Sequence, residues 1–128
     1  MRVIAIIVVI LGLASLVFGI LYLTQASSAE NEVADSIAPL PLADVDAKYD
    51  AAKAAAEGQA AKEADQIKAY NPSSTYLYLS AQRTSLALAK ANIGTAKMVR
   101  TTGIVDIIIG LGLILGGFAL LRKAQSTA

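Results

Sequence analysis

The 128-residue sequence contains no cysteine and no histidine. Without cysteine it has no disulfide framework and no thiolate, and without histidine it has no imidazole base near neutral pH. The serines and threonines therefore lack a histidine partner for nucleophilic catalysis, and no glycine-rich phosphate loop follows a strand-like segment. "GLGLILGG", residues 110–117, has the composition of a nucleotide loop but lacks a Lys-Ser/Thr ending and lies inside an apolar run, where helix packing explains glycines better. These absences set the expectation of a protein that is not an enzyme, with no catalytic residue, no metal ligand set and no cofactor. A formal net charge of +1 gives no reason to expect a nucleic-acid partner. Prolines number three, so there are few places where a helix is obliged to stop.

What is abundant is apolar surface, at 55% of residues with a mean hydropathy of +0.56, and it is concentrated at the two ends of the chain. Val3 to Leu23 carries no charge, and Ile104 to Leu121 carries only Asp106. Each run is close to the roughly 20 residues that cross a bilayer as a helix. A secretory signal is the alternative for the first, since Ser27 and Ala29 satisfy a small-x-small cleavage rule. A signal's apolar region usually runs only about 7–15 residues, which favours an uncleaved anchor.

Flanking charge gives the orientation. Arg2 precedes the first run, whereas Glu30, Glu32, Asp35, Asp44 and Asp46 follow it without an intervening Lys or Arg. That asymmetry places the amino terminus inside. The expectation is an integral protein of a plasma or inner membrane, with both termini cytoplasmic and residues 25–103 extracytoplasmic.

The resulting fold class is an all-α membrane protein of two transmembrane helices joined by an extracytoplasmic antiparallel helical hairpin, its second arm continuous with the second span. The first transmembrane helix is assigned to residues 3–24 and the second to 104–121, followed by a short cytoplasmic tail, 122–128. Pro39 and Pro41 mark residues 25–41 as a juxtamembrane linker. Residues 42–103 form the hairpin, and "NPSS" at 71–74 supplies its turn, a cap and a proline suited to the first helical position. Ala-rich residues 50–65 favour helix, with Gly58 as the weak point at about 0.8–1 kcal/mol relative to Ala. Val45, Tyr49, Ala52, Ala56 and Ile67 form an apolar stripe expected to be core. Residues 66–103 carry only basic charges, Lys68, Arg83, Lys90, Lys97 and Arg100, against the mainly acidic residues 25–65, so antiparallel arms attract.

The clearest pattern is a seven-residue repeat. Leu79, Leu86, Ile93, Arg100, Ile107, Ile114 and Leu121 recur by sevens, and three positions further on stand Gln82, Ala89, Ala96, Gly103, Gly110, Gly117 and Ala124. Ala5, Gly12, Gly19 and Ala26 repeat in the same way in the first run. Matched small residues let two backbones approach closely, so Ala5, Gly12, Gly19, Gly103, Gly110 and Gly117 are the candidate packing residues between the spans. Gly112 and Gly116 form a GxxxG on another face, available to a partner.

Asp106 lies beside the glycine face, shallow in the second run, at a level assigned to Tyr22 and Thr24, with Thr102 one turn earlier. These are its candidate hydrogen-bond donors. The leading expectation is a non-catalytic structural or accessory subunit that packs through small-residue faces against larger membrane-complex subunits, or against itself, in the lipid bilayer. A homo-oligomeric channel or ion-coupled device using Asp106 is the first alternative. The second is an extracytoplasmic sensing input acting through a partner. The layout resembles chemoreceptor sensor regions in architecture alone.

Overall fold

The computed structural model describes residues 2–126. It is almost entirely helical, with no strand among the described residues. The helices are α1 (Arg2–Ile37), α2 (Val45–Lys62), α3 (Ala64–Lys68) and α4 (Ser74–Ser126), and a single 3-10 turn, Leu42–Asp44, precedes α2. Two of them, α1 and α4, are long and apolar enough to cross a membrane. Their most apolar 18-residue stretches have mean hydropathies of 3.1 and 2.5, and only 17% and 11% of those stretches is buried. A core helix of a water-soluble protein would be mostly covered.

The chain divides into two compact units, one from residues up to Ser28 and from Ala96 onward, the other Ala29–Thr95. In the second unit, the end of α1 carries Val33 into a core with Val45 of α2 and Ala89 of α4, and Ile37, Leu40, Leu42 and Ile93 pack around them. Ala52, Ala56 and Leu86 are also buried. Alanines four residues apart on α2 leave room for α4 to come close. Along the margin, Lys90 reaches Asp46 at 3.3 Å and lies 5.1 Å from the centre of the Tyr49 ring, and Arg83 reaches Glu57 at 3.9 Å. These exposed pairs contribute about 0–1 kcal/mol each, so apolar packing is the main source of cohesion.

Two sequence expectations change here. Residues 25–37, assigned to the linker, belong to α1. The helix continues because Ala26 and Val33 extend the seven-residue spacing of its apolar face, and both are buried. It stops at Ile37 because Pro39 disfavours helical geometry at Ala38 and supplies no N–H. The Ala38–Pro39 bond is cis, and Leu40 N–H donates to the Ile37 carbonyl at 2.9 Å. At the other turn, Pro72 is not the first helical residue. Ser73 is the cap, its hydroxyl accepting the Tyr76 N–H at 3.2 Å, and α4 begins at Ser74. Gly58, for its part, lies within α2, and the helix breaks at Glu63, five residues later.

The turn before α4 closes by a Schellman arrangement. Tyr70 adopts φ 56°, its N–H donates to the Ile67 carbonyl at 3.0 Å, and the Asn71 N–H reaches back to Gln66 at 2.9 Å. Glycine is the usual occupant of that left-handed position, because a Cβ there crowds the following carbonyl. Glu63 spans the same turn: its carboxylate accepts the Ser73 N–H at 3.0 Å, the Ser73 hydroxyl and the Gln59 side-chain amide. The Ser73 hydroxyl, then the Ser73 N–H and the Gln59 amide, hold the Glu63 carboxyl below its usual range.

Candidate functional site: the glycine seam and Asp106

In the first unit, α1 and α4 meet at their small residues. A Cβ on Gly12 would lie 2.8 Å from the Gly110 carbonyl oxygen, and one on Gly110 would lie 2.7 Å from that of Gly12. Gly19 and Gly103 stand in the same relation, at 2.7 and 2.8 Å. A Cβ on Gly117 would lie 2.5 Å from Val9 Cγ2 and 3.1 Å from the Ala5 carbonyl oxygen. Real Cβ atoms essentially never come within 3.0 Å of such neighbours, so the backbones touch where no side chain intervenes. Ala5, Ala26 and Ala96 are buried at the same face. Approach this close permits Cα–H to carbonyl contacts, worth about 0.5–1 kcal/mol each.

Side chains from the next positions lock the seam. Ile114 sits over Gly12, Ile107 over Gly19, Leu16 over Gly110 and Val9 over Gly117. Gly112 and Gly116 have nothing within 4 Å of where a Cβ would be, so the structure brings neither of them to α1.

The seam also fixes the level of every residue along it. Gly12 faces Gly110, Gly19 faces Gly103 and Ala5 faces Gly117, so facing residue numbers sum to 122. Asp106 is then level with Leu16, and the Ser15 hydroxyl donates to the Asp106 backbone carbonyl at 2.8 Å. This corrects the assignment of Asp106 to the level of Tyr22 and Thr24. Tyr22 is level with Arg100 and Thr24 with Met98, roughly 9 and 12 Å further along the axis at 1.5 Å per residue. Depth counted from the start of the apolar run gives a different level, because glycine pairing sets the register.

The expected donors are engaged elsewhere or absent from the site. Thr24 donates to the Ile20 carbonyl at 3.0 Å and Thr102 to that of Met98 at 3.1 Å, each within its own helix. Tyr22 lies against Gly103, its Cβ 3.1 Å from where a Cβ on that glycine would stand. Among the described residues, no hydrogen bond or ion pair reaches the half-buried Asp106 carboxylate. Ser15 is the polar partner that sequence reasoning missed. Pairing Gly12 with Gly110 and counting back would have found it.

No family model matches the chain, and no similar curated protein or solved structure was found. What the site offers chemically is a close-packed helix pair with one carboxylate at its flank.

Proposed function

We propose that this chain is a non-catalytic structural or accessory subunit of a larger integral membrane assembly, inserted as two spans with both termini cytoplasmic and residues 25–103 extracytoplasmic. The observation that carries this reading is the contrast between the two faces of the helix pair. Inward, α1 and α4 meet through glycine and alanine. Outward, Val3 is 70% exposed, Ile108 64% and Leu115 71%, with Leu11 and Phe18 also exposed. Apolar area left in water costs about 25 cal/mol per Å², so a continuous belt of this kind calls for lipid or protein around it. Gly112 and Gly116, open on the outer side of α4, suit the close approach of a partner helix. Orientation rests on Arg2 before the first span and the acidic stretch Glu30 to Asp46 after it.

Purification in mild detergent, followed by mass-spectrometric identification of associated chains, tests the proposal. Larger integral membrane subunits should co-purify in fixed ratio. A pure homo-oligomer that conducts cations, with Asp106 facing its axis, would replace it with a channel.

That second reading has its own observation: among the described residues, no hydrogen bond or ion pair reaches the Asp106 carboxylate. Ionisable groups inside membrane spans often mark ion or proton pathways. Asp106→Asn distinguishes the two. Ser15 donates to the backbone carbonyl and not to the carboxylate, so the substitution keeps that bond and should leave assembly intact. Loss of proton or cation transport in an intact Asp106→Asn complex would move the ion-coupled reading to first place.

A further inference from the structure

Three segments of the second unit line a cavity of about 520 Å³ that opens to solvent: the end of α1 with the turn after it, α2, and the early part of α4. That volume falls within the roughly 300–1,000 Å³ typical of small-molecule sites. Ile37, Leu40 and Leu86 form its apolar wall, Leu86 buried and the other two half-buried. Lys48, Gln82 and Ser85 bring polar groups to it. An apolar wall with a few polar groups to orient the ligand is the usual form of such sites.

Charge indicates the occupant. Lys48 is the one charged residue of the lining, and no carboxylate lines the cavity. Among the described residues no ion pair or hydrogen bond reaches the Lys48 ammonium, although Asp44 stands four residues before it. Lys90, in the same unit, is by contrast paired with Asp46. The Ser85 hydroxyl likewise makes no hydrogen bond among the described residues, whereas Ser36 donates to the Val33 carbonyl at 2.8 Å and Thr84 to that of Ser80 at 2.9 Å, each within its own helix. An ammonium, a hydroxyl and the Gln82 amide can all donate, so together they suit a negatively charged acceptor. One ammonium balances one negative charge. A carboxylate carries one at neutral pH, whereas a phosphate monoester carries close to two, and the lining has no arginine fork for its oxygens.

We propose that this cavity binds a small amphipathic carboxylate, its charged end held by Lys48, Gln82 and Ser85 and its hydrocarbon end against Ile37, Leu40 and Leu86. The occupant is a free small molecule and not a partner helix. A helix with its side chains is about 10–12 Å across and would rest on the rim of a cavity this size, whereas a chain of about five or six carbons enters it. The site goes beyond an accessory role and stands whether or not the membrane-spanning reading holds, since all of its residues lie within the second unit.

Methyl-labelled full-length chain in lipid nanodiscs, titrated with hexanoate and followed by NMR, tests the proposal. Hexanoate should shift the Ile37, Leu40 and Leu86 methyl signals saturably and bind roughly tenfold or more tightly than 1-hexanol or hexylamine. Each buried methylene adds up to about fourfold, so butyrate should bind roughly tenfold more weakly than hexanoate. Lys48→Met keeps the apolar stem and removes the charge, and should weaken hexanoate by roughly tenfold or more. Ala81→Leu, at an exposed position of the lining, fills the space and should weaken it as well, with the Val33 and Val45 signals of the core unchanged. Equal binding of 1-hexanol, or unchanged affinity in Lys48→Met, would overturn the proposal. Shifts confined to methyl groups of the spans would mean partition into lipid and would also overturn it. Hexyl phosphate binding more tightly than hexanoate would remove the carboxylate assignment.

Discussion

Replacing Gly110 with alanine puts a single methyl group into the tightest part of the molecule. The added Cβ would stand 2.7 Å from the Gly12 carbonyl oxygen and 2.8 Å from the Leu16 backbone nitrogen, both main-chain atoms that cannot turn aside. Ordinary contact begins at 3.4 Å, so the helices must part by about 0.7 Å at that level. A gap of 0.5–1 Å forfeits roughly a quarter to a half of each dispersion contact along the seam. Overpacking of this kind typically costs about 1–3 kcal/mol. Alanine returns about 0.8–1 kcal/mol through helix propensity. The net expectation is a loss of up to about 2 kcal/mol, or a fall of up to roughly 30-fold in the ratio of packed to separated helices. Gly112→Ala is the matched control, because its Cβ would meet nothing within 4 Å. With pyrene labels on cysteines introduced at Ile4 and Phe118, which are exposed and level with each other, excimer emission during an SDS titration follows separation of α1 from α4. Gly110→Ala should separate at lower SDS, and Gly112→Ala at the same or higher SDS than the parent. A Gly110→Ala midpoint at or above that of Gly112→Ala would refute the backbone-contact argument.

Other measurements address the rest of the chain. A topology reporter inserted at Asn71 should be extracytoplasmic and one fused after Ala128 cytoplasmic; both on the same side would dispose of the two-span arrangement. Tyr70→Gly should stabilise the second unit by ~0.5–1 kcal/mol, since it removes a left-handed penalty of about 1–2 kcal/mol and returns part of it as unfolded-chain freedom. A raised thermal midpoint by circular dichroism checks this, and a lowered one would show that the Tyr70 ring contributes contacts of its own. Because the folded state holds the Glu63 carboxyl below its usual range, the stability it contributes is present above the unfolded-state pKa and is lost as pH falls through the lower folded value. Glu63→Gln should flatten the acid limb of the stability profile, and an unchanged limb would mean that the link to Ser73 does not persist in solution.

Much of the helical layout could be read from composition, because long charge-free runs and glycines seven residues apart leave few alternatives to close-packed helices. The extent of α1 could have been read but was obscured. Acidic residues after Leu23 and the prolines at 39 and 41 suggest a linker, yet Ala26 and Val33 continue the spacing of Ala5, Gly12 and Gly19, and proline dictates only where the helix stops. The level of Asp106 depended on which glycine meets which, a relation between two distant segments that depth counting along one of them does not reveal. The link from Glu63 to Ser73 lay further from view, since it depends on side-chain geometry across a turn whose left-handed residue is a tyrosine where glycine would be the natural guess.

The glycine seam also limits how the two helices of the first unit can move. Backbones can meet only where both sides lack a side chain, and those places recur every seven residues. A slide by one, two or three residues would drive a branched side chain such as Ile107 or Ile114 into the opposing main chain. The next permitted position is a full repeat away, about 10.5 Å at 1.5 Å per residue. Small piston strokes of α1 against α4 are therefore closed to this unit, and a push delivered along one helix displaces both together.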